Sequence, residues 1–220
     1  MAIKAKRTQA KVSAIIDARS RMPDGTLIAS LKLGREHLLD RQLRLMPTEV
    51  DECCIVGADD LAVGDRFEPA SLHRVSDSDG MSALSSALEV CRGATILLFS
   101  AAQPFPDVGD SHRVLTALRK RPAAGVFQSG RMSLARAQGE TVLSATPSDH
   151  YWTTQWPLGF ERALLTEVLA AAEHTAGADG MTVCELTLRL IEGRRSGFLI
   201  RDVYDWMLAQ ALAAQTRAAA

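Results

Sequence analysis

Several features that would mark a particular class of protein are missing from this sequence of 220 residues. No apolar run approaches the ~18–20 residues that a membrane-spanning helix needs. The basic residues near the beginning of the chain are not followed by the apolar segment of a signal peptide. The formal net charge is −1, without the basic surplus usual in nucleic-acid-binding proteins. We therefore expect a cytoplasmic protein whose partners include neither membrane nor nucleic acid.

Cysteine-based metal sites and a serine nucleophile are not indicated either. The sequence has four cysteines, none of them in a C-x-x-C pair or at zinc-type spacing from a histidine: Cys53, Cys54, Cys91 and Cys184. A G-x-S-x-G nucleophile elbow is also missing. We interpret the cysteines as small buried apolar residues in a reducing compartment.

The sequence contains enough apolar residues, 47%, to form one sizeable core, so we treat 1–220 as a single domain. Short apolar runs at 11–16, 51–60, 72–75, 96–99 and 123–128 predict strands. Helical spacing of apolar residues predicts helices at 36–46, 81–91, 107–121, 160–173 and 202–214. Strands that alternate with helices predict an α/β fold of three layers, a mostly parallel sheet with helices on both faces.

Two regions depart from simple alternation. Segment 124–157 is rich in predicted strand, including a pair around the Gln138-Gly139 turn, and we interpret it as a β-rich inserted arm. In the last helix, Val203, Trp206, Met207 and Ala211 fall at helical spacing and are predicted to form the buried stripe.

The stretch ILLFSAAQPF, residues 96–105, is a buried strand followed directly by a turn. In open α/β sheets, ligands and metals bind where parallel strands end. The residue at this end is Ser100, where a carboxylate is the usual side chain for chemistry. The stretch therefore marks either a site with unusual chemistry or a site that has lost its charge.

The order of five stretches resembles the 2-C-methyl-D-erythritol 4-phosphate cytidylyltransferase family, within the wider Rossmann-like nucleotidyltransferases. The stretches are SRMP after the first strand, KLGREHLLDRQL, ILLFSAAQPF, TTQWPLGF and LIEGRR. This resemblance implies a Rossmann-like sheet and a reaction of the isoprenoid-precursor type, which joins CTP to a sugar-alcohol phosphate and releases pyrophosphate. Such a displacement at phosphorus needs positive charge around the phosphates and a divalent metal held by carboxylates.

The phosphate-binding charges that the resemblance implies are mostly missing. The family's glycine-rich loop corresponds to a stretch without glycine, in which Asp17 adds a negative charge. Arg21 matches the family's loop arginine, and Arg19 lies beside it; the alternative is that both are ordinary solvated loop residues. The family's lysine corresponds to Ile28, which cannot stabilise a phosphoryl charge.

The metal-binding and base-binding positions have changed as well. The family's His-Asp corresponds to Phe99 and Ser100, and its following arginine to Gln103. Its second acid falls near Ser196, and the lysine beyond it near Leu199. In the segment matching the nucleotide-base site, polar side chains remain at Asp77, Asp79 and Ser82. The alternative is that these residues cap the helix that follows.

Two functions remain open on these residues. The first is a non-catalytic relative that binds a ligand, such as a nucleotide, or a partner protein in the old cleft, which is formed by Asp17, Arg19, Arg21, Asp77, Asp79, Ser82, Ser100 and Gln103. The alternative is an active nucleotidyltransferase with a rebuilt site, in which Arg19, Arg21, Asp77 and Asp79 contact phosphate and metal. We assign no catalytic residue and no cofactor, and expect Mg²⁺ only under the alternative.

The segment HYWTTQWPLGF concentrates aromatic residues in a chain that is only 5% aromatic. The resemblance implies that the arm reaches over a second subunit to make a homodimer, and Tyr151, Trp152 and Trp156 suit such an interface. Ordinary core packing at the base of the arm is the alternative. The sequence also leaves pairing with an active relative open.

Overall fold

The computed structural model describes residues 11–62, 71–76, 81–129, 134–138, 141–146, 152–174, 189–193 and 197–218. Its strands are β1 Val12–Asp17, β2 Lys32–Leu33, β3 Glu36–His37, β4 Val50–Val56, β5 Ser71–Val75, β6 Thr95–Ser100, β7 Ala123–Ser129, β8 Leu134–Gln138, β9 Thr141–Thr146, β10 Trp152–Glu161 and β11 Arg189–Glu192. Its helices are α1 Leu38–Arg44, α2 Met81–Val90, α3 Val108–Leu118, α4 Arg162–His174 and α5 Val203–Ala218.

Seven of these strands form one sheet in the order β11-β7-β10-β6-β1-β4-β5. Strand β1 pairs in parallel with both β4 and β6, and β4 pairs in parallel with β5. Strand β10 is antiparallel to its neighbours β6 and β7, while β11 is parallel to β7. The predicted α/β, mostly parallel Rossmann-like sheet is confirmed.

Successive apolar side chains of β1 and β6 point to opposite faces of the sheet and form a core on each face. Ala14, Ile16, Leu97 and Phe99 pack with α1 and α3 residues on one face. Ile15, Ile96 and Leu98 pack with α2 and α4 residues on the other. Successive side chains of a strand point to opposite faces, so an uninterrupted apolar run is what a sheet covered on both sides requires.

Segment 124–157 is divided between two sheets. Strands β7 and β10 are members of the seven-stranded sheet, whereas β8 and β9 form the predicted antiparallel pair as a separate two-stranded sheet. The sequence did not predict β10 as a strand, because Pro157 interrupts it. In the structure the register between β10 and β7 shifts between Thr154 and Leu158, which accommodates the proline. The cis peptide bond Trp156–Pro157 lies within this irregularity.

The predicted stripe of the last helix is wrong at three of its four positions. Val203 is 49% exposed, Met207 is 59% exposed and Ala211 is exposed as well, whereas Trp206 packs inward and Ala209 is fully buried. Helix α5 carries apolar residues on most of its sides, so spacing alone does not select the buried face. The face that is buried packs on Ile28, Leu38 and Ile200, near the carboxyl end of the sheet.

A buried carboxylate ties the opposite, amino-terminal end of the sheet together. Glu52 of β4 accepts hydrogen bonds from the Ser13 hydroxyl at 2.5 Å, from the Gly93 N–H at 2.8 Å and from the Arg92 N–H. A Cβ at Gly93 would lie 2.6 Å from the Ser13 nitrogen, so this close approach requires glycine. Burial raises the pKa of Glu52, but these hydrogen bonds outweigh burial and hold the pKa below its ordinary value.

We predict that Glu52→Gln lowers the free energy of unfolding by about 2 kcal/mol at pH 7, since the amide replaces an acceptor that serves three donors. A carboxyl whose pKa is depressed by folding stabilises the protein above its unfolded pKa of about 4.3, and that contribution disappears as the pH falls through its folded pKa. The difference between variant and wild type should therefore shrink below about pH 4. Urea titrations from acidic to neutral pH measure it, with exposed Glu89→Gln as the matched control. If the difference in unfolding free energy between Glu52→Gln and wild type did not change with pH, Glu52 would not be a carboxylate with a lowered pKa in the folded protein.

Candidate functional site

The carboxyl ends of β1, β4 and β6 meet at one edge of the sheet and form the candidate site. Asp17, the last residue of β1, is in register with Ser100 of β6 on one side and Val56 of β4 on the other. The Ala101 N–H donates to the Asp17 carbonyl at 2.9 Å, and the Ala18 N–H donates to the Val56 carbonyl at 3.0 Å. The sheet therefore places Asp17 and Ser100 side by side at the carboxyl ends of neighbouring parallel strands.

Asp17 and Arg19 form a closed ion pair at this edge. Arg19 Nε donates to Asp17 Oδ1 at 3.0 Å, and Nη2 donates to Oδ2 at 2.8 Å. The backbone N–H of Arg19 also donates to Asp17 Oδ1, at 3.1 Å. The pair is largely buried, with side-chain exposures of 19% and 26%. A two-pronged contact of this kind is the strong form of an arginine–carboxylate interaction.

The turn after β4 makes room for the Arg19 side chain. Gly57 has φ +77°, and a Cβ there would lie 2.7 Å from Arg19 Cγ. Ala58, the next residue, also has a positive φ of 58°. Glycine at position 57 therefore leaves room for the Arg19 side chain beside the end of β4, where it bonds to Asp17.

Arg21 faces a different environment from Arg19. It is exposed, and its Nη1 donates to the Gly25 carbonyl at 3.1 Å. Together with Ser30, Asp59 and Asp60 it lines a cavity of about 330 Å³. The sequence did not single out Asp59 and Asp60, although their place directly after a buried strand was a signal that could have found them.

Ser100 and Gln103 are turned into the protein rather than toward a cleft. Ser100 is 5% exposed, and its Oγ accepts the Ala102 N–H at 3.2 Å, so the hydroxyl serves the turn after β6. Gln103 is 2% exposed, and its Nε2 donates to the Trp156 carbonyl at 3.3 Å. Ser100 therefore stabilises the turn itself, and Gln103 holds the turn against β10.

A second neutral contact lies where β7 and β11 end and β10 begins. Gln155 Nε2 donates to Gln128 Oε1 at 2.9 Å. The Gln155 side chain also lies where a Cβ on Gly193 or Gly197 would be placed. The amide side chains at this edge are thus packed against backbone and against each other, and they contribute no charge.

Apolar side chains fill the space that the resemblance assigns to two lysines. Ile28 is 1% exposed and packs with Ala102 and Ile200, and half-buried Leu199 packs against the same cluster. The Ile200 N–H donates to the Ala102 carbonyl at 2.9 Å, which holds segment 197–200 against the turn after β6. The rings of Phe105 and Phe198 lie 6.3 Å apart in the same contact.

The remaining predicted site residues are only partly described. Ser82 is exposed in the first turn of α2. Asp77, Asp79 and Ser196 lie outside the described residues.

The side chains of Asp17 and Ser100 do not fit a magnesium ion. Mg²⁺ needs oxygen ligands, usually one or two carboxylates. Both oxygens of the Asp17 carboxylate are held by Arg19, and the Ser100 hydroxyl bonds to backbone. Within the described ranges, no group of three or more His, Cys, Asp or Glu side chains is arranged to hold a metal ion.

Of the predicted interface aromatics, Trp156 is half-buried and packs against the α2/α4 face of the core. Trp152 begins β10, in register with Ser129, and Tyr151 lies outside the described residues. Across the helices that the structure describes, none has the length and apolar character to cross a membrane. Location in the cytoplasm stays a prediction.

Known proteins that are similar to this chain carry the same name, although no family model matches the chain. The chain is 22% identical over 202 residues to 2-C-methyl-D-erythritol 4-phosphate cytidylyltransferase of Halalkalibacterium halodurans, covering 84% of this chain and 88% of that protein. It is 32% identical over 130 residues to the Deinococcus radiodurans protein of the same name, covering 57% of this chain and 56% of that protein. The chain thus spans a little over half the length of this second relative.

The fold matches solved structures with the same name. The crystal structure of 2-C-methyl-D-erythritol 4-phosphate cytidylyltransferase from Thermus thermophilus superposes with a TM-score of 0.75 at 23% identity, covering 91% of this chain and 98% of that one. Sequence, order of motifs and fold therefore agree. The chain therefore resembles the 2-C-methyl-D-erythritol 4-phosphate cytidylyltransferases in sequence and shares their fold.

Proposed function

We propose that this chain is a non-catalytic relative of the cytidylyltransferases, which binds a ligand or a partner protein at the carboxyl edge of its sheet. The observation that carries the proposal is the closed pair between Asp17 and Arg19. A phosphate-binding arginine must present its N–H groups to the substrate, and the donors of Arg19 at Nε and Nη2 are directed at a carboxylate of its own chain.

The rest of the edge supports the same function. Transfer of a nucleotidyl group builds negative charge around phosphorus, which metal ions and cations must stabilise. Ser100 and Gln103 are neutral and turned inward, and Ile28 is buried in an apolar cluster. Loss of a single such charge commonly costs a factor of about 10²–10³ in rate.

A second candidate function is a nucleotidyltransferase with a rebuilt site. The specific observation in its favour is the cavity at the same edge, where Arg21 lies with the carboxylates of Asp59 and Asp60. These groups are exposed and could meet a phosphate and a cation. Thermal unfolding with a panel of nucleotides separates the candidates. A Mg²⁺-dependent rise in the melting temperature that Arg21→Ala abolishes would favour the enzyme.

We predict that the purified protein releases no pyrophosphate from CTP and 2-C-methyl-D-erythritol 4-phosphate above the enzyme-free rate, because Asp17, Arg19 and Ser100 are bonded within the chain instead of facing the transferred group. A coupled phosphate assay with Mg²⁺ measures this, with the Thermus thermophilus relative as the active control. Steady turnover that scales with protein concentration would refute the non-catalytic assignment.

We further predict that Asp17→Asn increases the affinity for CTP by about tenfold, because removal of the carboxylate charge frees Arg19 for a phosphate. Isothermal titration calorimetry measures the gain, and Asp17→Asn combined with Arg19→Ala should lose it. Asp205→Asn, which breaks the ion pair between Asp205 of α5 and Arg201 just before that helix, is the matched control and should leave binding unchanged. If Asp17→Asn binds no more tightly than wild type, the ion pair is not what keeps phosphate away.

The proposal includes a homodimer through the arm, for which the support is the aromatic segment beside it and the separate β8–β9 sheet. We predict a mass about twice the chain's 23.8 kDa by size-exclusion chromatography with light scattering. Replacing 134–146 by a short Gly-Ser linker should give a folded monomer, because β8 and β9 are not strands of the seven-stranded sheet. A monomeric wild type, or a dimer that survives the replacement with an unchanged circular dichroism spectrum, would exclude this interface.

A further inference from the structure

A groove of about 730 Å³ runs between α3 and β11. One wall consists of residues spaced three or four apart along α3 and its end, from Arg113 through Ala117 to Lys120 and Arg121. Strand β11 forms the other wall. Arg113 joins the two walls, because its Nη1 donates to the Glu192 carbonyl at 2.8 Å while its Nη2 bonds to Asp110. The groove is therefore a built feature with a volume in the range of small-molecule sites.

Three cations gather at one end of this groove. Lys120, Arg121 and Arg189 line it and are exposed. Arg189 is in register with Ala124, one residue into β7, and Arg121 lies two residues before β7 begins, so both belong to the same end. The one carboxylate among the described lining residues, Glu192, is three residues further along β11, about 10 Å away.

This end of the groove is remote from the candidate site. Strands β7 and β11 run in the same direction as β6, because β10 is antiparallel to both β6 and β7. Their amino-terminal ends therefore lie at the edge of the sheet opposite Asp17 and Ser100. A ligand bound among these cations would not contact the candidate site.

Helix electrostatics explain only part of the cluster. Cations after the end of a helix interact favourably with its exposed carbonyl groups, which accounts for Lys120 and Arg121 behind α3. Arg189 belongs to a strand and gains nothing from that dipole. Its position brings a third positive charge into the groove, where like charges repel one another unless an anion lies between them.

The groove also offers an apolar surface beside the cations. Leu190 is 43% exposed, and Ile191 and Ala117 line the same space. An inorganic anion would use the cations alone. A molecule that carries an anionic head and an apolar body would use both.

We propose that this groove binds an organic diphosphate, with its phosphates on Lys120, Arg121 and Arg189 and its apolar part over Leu190. Arginine pairs recognise phosphate oxygens in a two-pronged geometry, and lysine adds a point charge. This site is independent of the proposed function, since it uses none of the residues at the carboxyl edge.

Isothermal titration calorimetry of the full chain with n-hexyl diphosphate and with inorganic pyrophosphate tests the proposal. We expect n-hexyl diphosphate to bind about fivefold more tightly than pyrophosphate, because its chain covers apolar surface. Arg189→Ala should weaken both by about tenfold, and Leu190→Ser should weaken only the hexyl compound. Arg119→Ala is the matched control, because Arg119 follows the same helix but lines a different cavity. It should leave binding unchanged.

Other results would overturn the proposal. If neither probe binds, or if Arg119→Ala weakens binding as much as Arg189→Ala, the groove provides only diffuse positive charge. If Arg21→Ala abolishes binding instead, the probe occupies the carboxyl edge and the groove is not a site. Tighter binding of a single-stranded oligonucleotide, lost in Arg189→Ala, would assign the groove to nucleic acid.

Discussion

Strand β1 hydrogen-bonds to parallel neighbours on both sides, and this central position fixes what the carboxyl edge of the sheet can do. The chain must leave β1 between the ends of β4 and β6, so the side chain at position 17 is delivered to the middle of the edge. Here that side chain is a carboxylate, and Arg19 closes over it across Gly57. Arg19 is therefore paired within the chain by its Nε and Nη2 donors.

The neighbouring substitutions follow the same physical logic. Buried polar side chains are stabilised by hydrogen bonds within the chain, which this edge supplies in part, since Gln103 Oε1 has no partner among the described residues. Ser100 bonds to the turn after β6, Gln103 reaches the β10 backbone, Gln155 pairs with Gln128, and Ile28 joins an apolar cluster. The chain shares the fold of the cytidylyltransferases, and these side chains at its carboxyl edge make neutral hydrogen bonds and apolar contacts.

Much of the sheet could be predicted from the sequence, because β1, β4 and β6 are apolar runs and the intervening helices have clear spacing. Strand β10 was missed because Pro157 breaks the pattern, and only pairing with β6 and β7 makes it a strand. The face of α5 was misassigned because its apolar residues surround the helix. At the site, the loss of charge at Ser100 and Ile28 was visible in the sequence. Closure of Arg19 on Asp17 was not, since it depends on the turn at Gly57.

A crystal structure grown with CTP and Mg²⁺ is the decisive experiment, because it shows where the Arg19 guanidinium points when phosphate is offered. We expect Arg19 to remain paired with Asp17 and no metal ion to lie between Asp17 and Ser100. A magnesium ion held by Asp17 and the α-phosphate of CTP, with Arg19 turned to the phosphates, would contradict this expectation.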